Sequence, residues 1–148
     1  MTEALPKSWL GWMVLPLRRY VRLSGRSGRR EFWLYCLFLF LGYAAMFAVA
    51  VAAGMAKGDV DDDSISVMVA GWGLFFLINF LPGLALTVRR LHDMGLSGAL
   101  LVVILLLVGV LGPFGFLGYF TWMTLPGQKG ANRHGMPVYH QDVSNVFS

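Results

Sequence analysis

The sequence predicts an all-α integral membrane protein: three transmembrane helices, the third kinked or re-entrant, preceded by an N-terminal interfacial amphipathic helix. Three observations carry this. Hydrophobic residues make up 57% of the 148 positions and charged residues only 14%, too little polar surface to cover a water-soluble globule of this size. The apolar residues gather in three stretches, Trp33 to Ala56, Ile65 to Val88 and Ala99 to Thr124, none of which holds Asp, Glu, Lys, Arg or His. Each runs 24 to 26 residues. As helix that is about 36 to 39 Å, enough to cross a hydrocarbon core of about 30 Å. Helix is the expected form, because a lone span satisfies its backbone in lipid no other way and no segment alternates with period two. The chain thus divides into a basic cytoplasmic segment (1–32), a helical membrane domain (33–124) and a polar, Gly- and Pro-containing tail (125–148).

The N-terminal segment comes first. From Ser8 to Leu23, Arg18, Arg22 and Gly11 fall on one side of a helical wheel with Arg19 on the flank, while Trp9, Trp12, Met13, Leu17, Tyr20 and Leu23 gather on the other. Such a helix sinks its apolar half to the headgroup boundary and leaves its arginines with lipid phosphates. Pro16 interrupts the run, which predicts two short pieces. The arginines follow the apolar positions, opposite to a secretory signal peptide, so the segment is expected to be retained. Ser24 to Arg30, reading SGRSGRR, suits phosphate contacts; it lacks the Lys and the preceding strand of a P-loop, and a juxtamembrane anchor on anionic headgroups is the expected role.

In the first stretch, Glu31 opens the helix where a carboxylate suits the dipole, with Arg26 or Arg90 as the expected partner. Trp33 and Tyr35 fit an aromatic belt. Ala44, Ala48, Ala52 and Ala56 recur every four residues and form a small-residue seam for close helix packing. The connector Lys57 to Ser64 is acidic. Asp59, Asp61 and Asp63 have the spacing of the first EF-hand ligands, but Ser64 and Ala70 stand where Gly and Glu are required, so a solvated loop is expected.

In the second stretch, Asn79 lies one turn before Pro82 and Gly83, which suits a helix-to-helix hydrogen bond or the lining of a pathway. No ionisable group lies in mid-stretch, which counts against an ion-coupled pump. The cluster Arg89, Arg90, His92, Asp93 follows. Arg89 and Asp93 are spaced i, i+4 and expected to pair. His92 and Asp93 point about 100° apart on a helix and are too few to ligate a metal, so the cluster reads as structural ion pairs with no metal and no cofactor. In the third stretch, Gly112 and Pro113 interrupt the middle. Its length is short of two full crossings, which favours one kinked span with the tail outside over a re-entrant pair that returns the tail to the cytoplasm.

Charge sets the orientation. Residues 1–32 carry net +5 and the Lys57 to Ser64 connector net −3, with Arg89 and Arg90 basic again. The N-terminus and the 89–98 connector are therefore expected in the cytoplasm and the aspartate loop outside.

Three local patterns, GRSGRREFW at Gly25 to Trp33, RRLHDMGLSG at Arg89 to Gly98 and PGQKGANRHG at Pro126 to Gly135, together resemble the bacterial inner-membrane family known as domain of unknown function 805. The resemblance runs from about Gly25 to Pro137. It marks Gly25, Arg26, Arg29, Glu31, Phe32 and Trp33, then Arg89 to Asp93 with Gly95, Ser97 and Gly98, then Pro126, Gly127, Gly130, Asn132 and Gly135. Gln128 and Lys129 replace the frequent Thr-Pro, His134 stands where an aromatic is usual, and Met136 interrupts the usual Pro-Asp-Pro ending. The resemblance implies a multi-pass inner-membrane protein and names no activity.

The expected function is a non-enzymatic membrane assembly or interaction module, partnered by anionic lipid and by a second copy or another membrane protein. An oligomeric small-solute or ion transporter around Asn79 and Pro82 is the alternative; a lipid-headgroup-acting enzyme is the second. The residues expected to carry function or touch headgroups are Arg26, Arg29, Glu31, Arg89, Arg90, His92, Asp93 and Asn132. Nucleic acid is not an expected partner, because the basic residues hug the membrane entrance.

Overall fold

A computed structural model describes residues 5–57 and 62–138, and these form five helices with no strand among them. The first, α1, is Trp9–Arg18, with the Ser8 hydroxyl accepting from Gly11 N at 3.1 Å. Pro16 lies inside α1 instead of dividing it. So near the helix end its missing N–H forfeits only the bond to Trp12, and burial of Trp12, Leu15 and Pro16 outweighs that loss.

The next two helices are long. α2 spans Arg29–Lys57 and α3 spans Asp62–Asp93, about 44 and 48 Å at helical rise. Both run past the apolar stretches at the basic end, so Arg29 to Phe32 and Arg89 to Asp93 sit on helix termini. Glu31 in the first turn of α2 and Arg90 and His92 in the last turn of α3 carry the charge that each dipole end favours. Asp59 and Asp61, and with them the EF-hand-like spacing, lie outside the described residues.

The third apolar stretch is not one kinked span. It forms two short helices, α4 (Leu100–Leu111) and α5 (Pro113–Met123). Gly112 between them has φ +54, a left-handed conformation that a side chain disfavours, and Pro113 starts α5 where its missing N–H is harmless. Gly115 lies against the backbone of Leu107 and Val108, so α5 folds back on α4. The stretch leaves from the end of α3, and Arg90 of that same end reaches the Met123 carbonyl where α5 finishes. The two arms are about 18 and 16 Å long, each well short of a hydrocarbon core of about 30 Å.

The buried core sits at this basic end. Phe32, Tyr35, Leu86, Leu91, Ile104 and Met123 form one cluster, and Trp12, Leu15, Leu34 and Val138 a second. Away from it the helices expose apolar side chains, including Phe40 at 69% and Leu77 at 65%. A core helix of a soluble protein hides such residues; exposed along two helices long enough to cross a bilayer, they identify lipid as the solvent. α2 meets α3 where Gly42 admits the Phe75 ring and Met46 reaches Gly71. Ala44, Ala48 and Ala52 face outward, exposed, and the side chain of Ala56 lies outside the described residues.

Pro82 leaves the Ile78 carbonyl without its helical donor. The Tyr20 hydroxyl donates to that carbonyl at 2.8 Å. Asn79, beside it, accepts from the Tyr35 hydroxyl at 3.0 Å and donates to the Phe75 carbonyl at 2.8 Å.

Candidate functional site

The helix ends and the tail converge on Asp93. Its carboxylate accepts from Arg26 Nε at 2.9 Å and from Arg90 Nη1 at 2.5 Å. The segment before α2 is brought here by Ser27, whose N–H donates to the Arg89 carbonyl at 3.1 Å. Arg26 also donates to the carbonyls of Gln128 and, at 2.7 Å, Gly130. Arg90 donates to the carbonyls of Met123 and Leu125, satisfying acceptors that the end of α5 leaves open. One guanidinium thus binds the tail and the other the hairpin, and one carboxylate joins both.

The tail approaches closely because of its glycine. A Cβ at Gly127 would collide with the Asp93 carboxylate. Beyond it, Gln128 N donates to the Asp93 carbonyl at 2.9 Å. Asn132 then donates to the His92 carbonyl at 3.0 Å and accepts from His134 N at 2.9 Å, in a turn closed by the Asn132 and Gly135 backbones.

Glu31 pairs with Arg89 Nη2 at 3.1 Å and with Arg19 at 3.7 Å, not with Arg26 or Arg90. Nor does Arg89 pair with Asp93. From the last turn of α3, Arg89 and Asp93 project to different neighbours: Arg89 turns toward α1 and the start of α2, where it also donates to the Arg22 carbonyl, while Asp93 turns toward Arg26 and the tail. Arg26, Arg89, Arg90, Glu31 and Asp93 are all buried. Removing one member of such a network strands a buried charge, at about 3 to 5 kcal/mol.

His92, four residues past the last apolar position of the α3 stretch, stacks on His134 with ring centroids 3.7 Å apart and planes 6° from parallel. Its Nδ1 lies 3.3 Å from the Gly25 carbonyl. Burial, then the His134 and Arg133 charges, hold its imidazole below the ordinary histidine range despite that carbonyl. Among the described residues no group of three His, Cys, Asp or Glu side chains could hold a metal.

Seven of the eight candidates are therefore neighbours. Arg29 stands at the margin, exposed, with Nη1 3.4 Å from the Thr124 carbonyl. Sequence reasoning missed Arg19, the accepting carbonyls and the role of His134. The last carried a signal: a ring is usual there, and the imidazole supplies one.

A family model described as Protein of unknown function (DUF805) matches residues 20–136, which include the side chains named above except Arg19. The chain is 31% identical over 125 residues to Inner membrane protein YhaI of Escherichia coli (strain K12), covering 84% of this chain and 92% of that protein. It is 32% identical over 104 residues to Uncharacterized protein YiiR of the same organism, covering 70% of this chain and 53% of that one. No solved structure matches.

Proposed function

The chain belongs to the DUF805 family, and from that premise we propose that it is a non-enzymatic assembly module of the bacterial inner membrane. α2 and α3 cross the bilayer, α4 and α5 enter and leave from one side, and both chain ends face the cytoplasm. α1 lies at the interface on that side. The single observation that carries the reading is the commitment of the motif side chains to one another. Arg26, Arg89, Arg90, Glu31 and Asp93 are buried in mutual pairs and on backbone carbonyls, a use that fastens three membrane segments at one end. Catalysis needs a nucleophile or base facing substrate, and these groups face each other. The Asn79 amide is likewise held by Tyr35 and Phe75, which favours a packing role over a pathway.

The outward alanine face of α2 is the surface offered to a second copy or another membrane protein. Disulfide crosslinking tests this. With Cys36→Ser as background, Ala48→Cys in membranes gives a crosslinked species, and Ala48→Phe abolishes assembly. Monomer only from the cysteine variant, with assembly indifferent to Phe, overturns the proposal.

A further inference from the structure

The chemistry-bearing group that the Asp93 cluster leaves unused is Arg30. It is exposed at the start of α2, one residue from the buried Glu31, and it points to α1. Its guanidinium carbon lies 4.7 Å from the centroid of the Trp9 ring and 5.2 Å from that of Trp12. The two indoles differ in burial. Trp12 is 4% exposed and belongs to the core cluster with Leu15 and Leu34, whereas Trp9 is 65% exposed and Leu10 beside it 73%. A buried wall therefore fixes one side of the guanidinium, and the outward indole of Trp9 lies against it from α1. Among the described residues, the two rings are the partners Arg30 has. Its N–H groups have no protein acceptor there.

We propose that Arg30, held against Trp9 and Trp12, binds the phosphate of an anionic lipid headgroup. The guanidinium fork matches two phosphate oxygens. The ring faces attract the cation and hold it in one orientation, which lowers the ordering cost of binding. Trp9 and Leu10 enter the acyl boundary at the same level, where indoles are favoured. This inference rests on the membrane placement proposed above but not on the alanine face. Loss of α2 crosslinks leaves it intact.

The test titrates phosphatidylglycerol or phosphatidylcholine into the detergent-solubilised full chain and counts bound lipid by native mass spectrometry. Wild type retains phosphatidylglycerol preferentially. Arg30→Gln weakens that binding about fivefold, Arg30→Lys falls between, and Trp9→Ala, at a position outside the core, weakens it in the same direction. Lys129→Gln, an exposed cation in the tail, leaves it unchanged. Unchanged binding in Arg30→Gln, or an equal loss in Lys129→Gln, overturns the site. Displacement of the lipid by equimolar inorganic phosphate assigns it to free phosphate instead and overturns the lipid assignment.

Discussion

Arg26 and Asp93, 67 residues apart in sequence, meet at 2.9 Å with both side chains almost fully buried. The contact joins the approach to α2 to the end of α3. Because Arg90 shares the same carboxylate, removing its charge strands two cations. Asp93→Asn is therefore expected to destabilise the fold by about 3 to 5 kcal/mol, read as a fall in midpoint during denaturant unfolding in detergent. Arg26→Lys keeps the charge but loses the fork that reaches Gln128 and Gly130, and is expected to lose less. Near-wild-type stability in Asp93→Asn would show that the cluster does not hold the segments together.

Glycine substitutions in the tail separate close approach from general sensitivity. Gly127→Ala forces a methyl against Asp93 and is expected to cost about 1 to 3 kcal/mol. Gly130→Ala meets nothing within 4 Å and is expected to stay within about 0.5 kcal/mol of wild type. The same unfolding assay ranks the pair, and equal effects would contradict the geometry.

The legible part of this fold was what composition and spacing determine. Long uncharged stretches predict α2 and α3, and the local motifs singled out seven residues that do come together. Pairing was not legible. Glu31 takes Arg89 and Arg19 instead of Arg26 or Arg90, a choice that depends on how α1 and α3 rotate, information absent from one helix read alone. Length misled at Ala99 to Thr124, because a crossing rule assumes one continuous helix, whereas a glycine of positive φ ahead of Pro113 folds the stretch back on itself. Pro16 misled similarly, since its local penalty is small beside the burial that tertiary packing brings to Trp12 and Leu15.

The stacked histidines make tail docking sensitive to acid. His92 titrates below its ordinary value of 6.5, so the folded form binds fewer protons than the unfolded one across that interval, and stability rises with pH there. The contribution is complete above about 6.5 and is lost as pH falls through the lowered value. Proteolysis of the tail, followed from roughly pH 8 to 5, is expected to accelerate on the acid side. His134→Phe keeps a ring against His92 and removes one neighbouring charge, so its acid loss is smaller. A pH-independent rate in wild type would exclude the stack as a contributor.

The position of the tail follows from the hairpin. α4 departs from the end of α3, and α5 delivers Met123 and Leu125 back to Arg90 on that same end. Reaching the opposite face from there would require pulling Arg90 off two carbonyls and Arg26 off the tail, leaving buried guanidinium groups without acceptors at several kcal/mol each. In the proposed orientation the basic residues of the N-terminal segment with Arg89 and Arg90 put that end in the cytoplasm, and the tail is expected to stay with it. A fluorescent protein fused after Ser148 is expected to light up and a periplasm-dependent phosphatase at the same point to stay inactive. Moving the fusions into the acidic connector after Lys57 reverses both signals. Phosphatase activity at Ser148 would mean that the last apolar stretch crosses the bilayer and that the contacts around Asp93 do not form in the membrane.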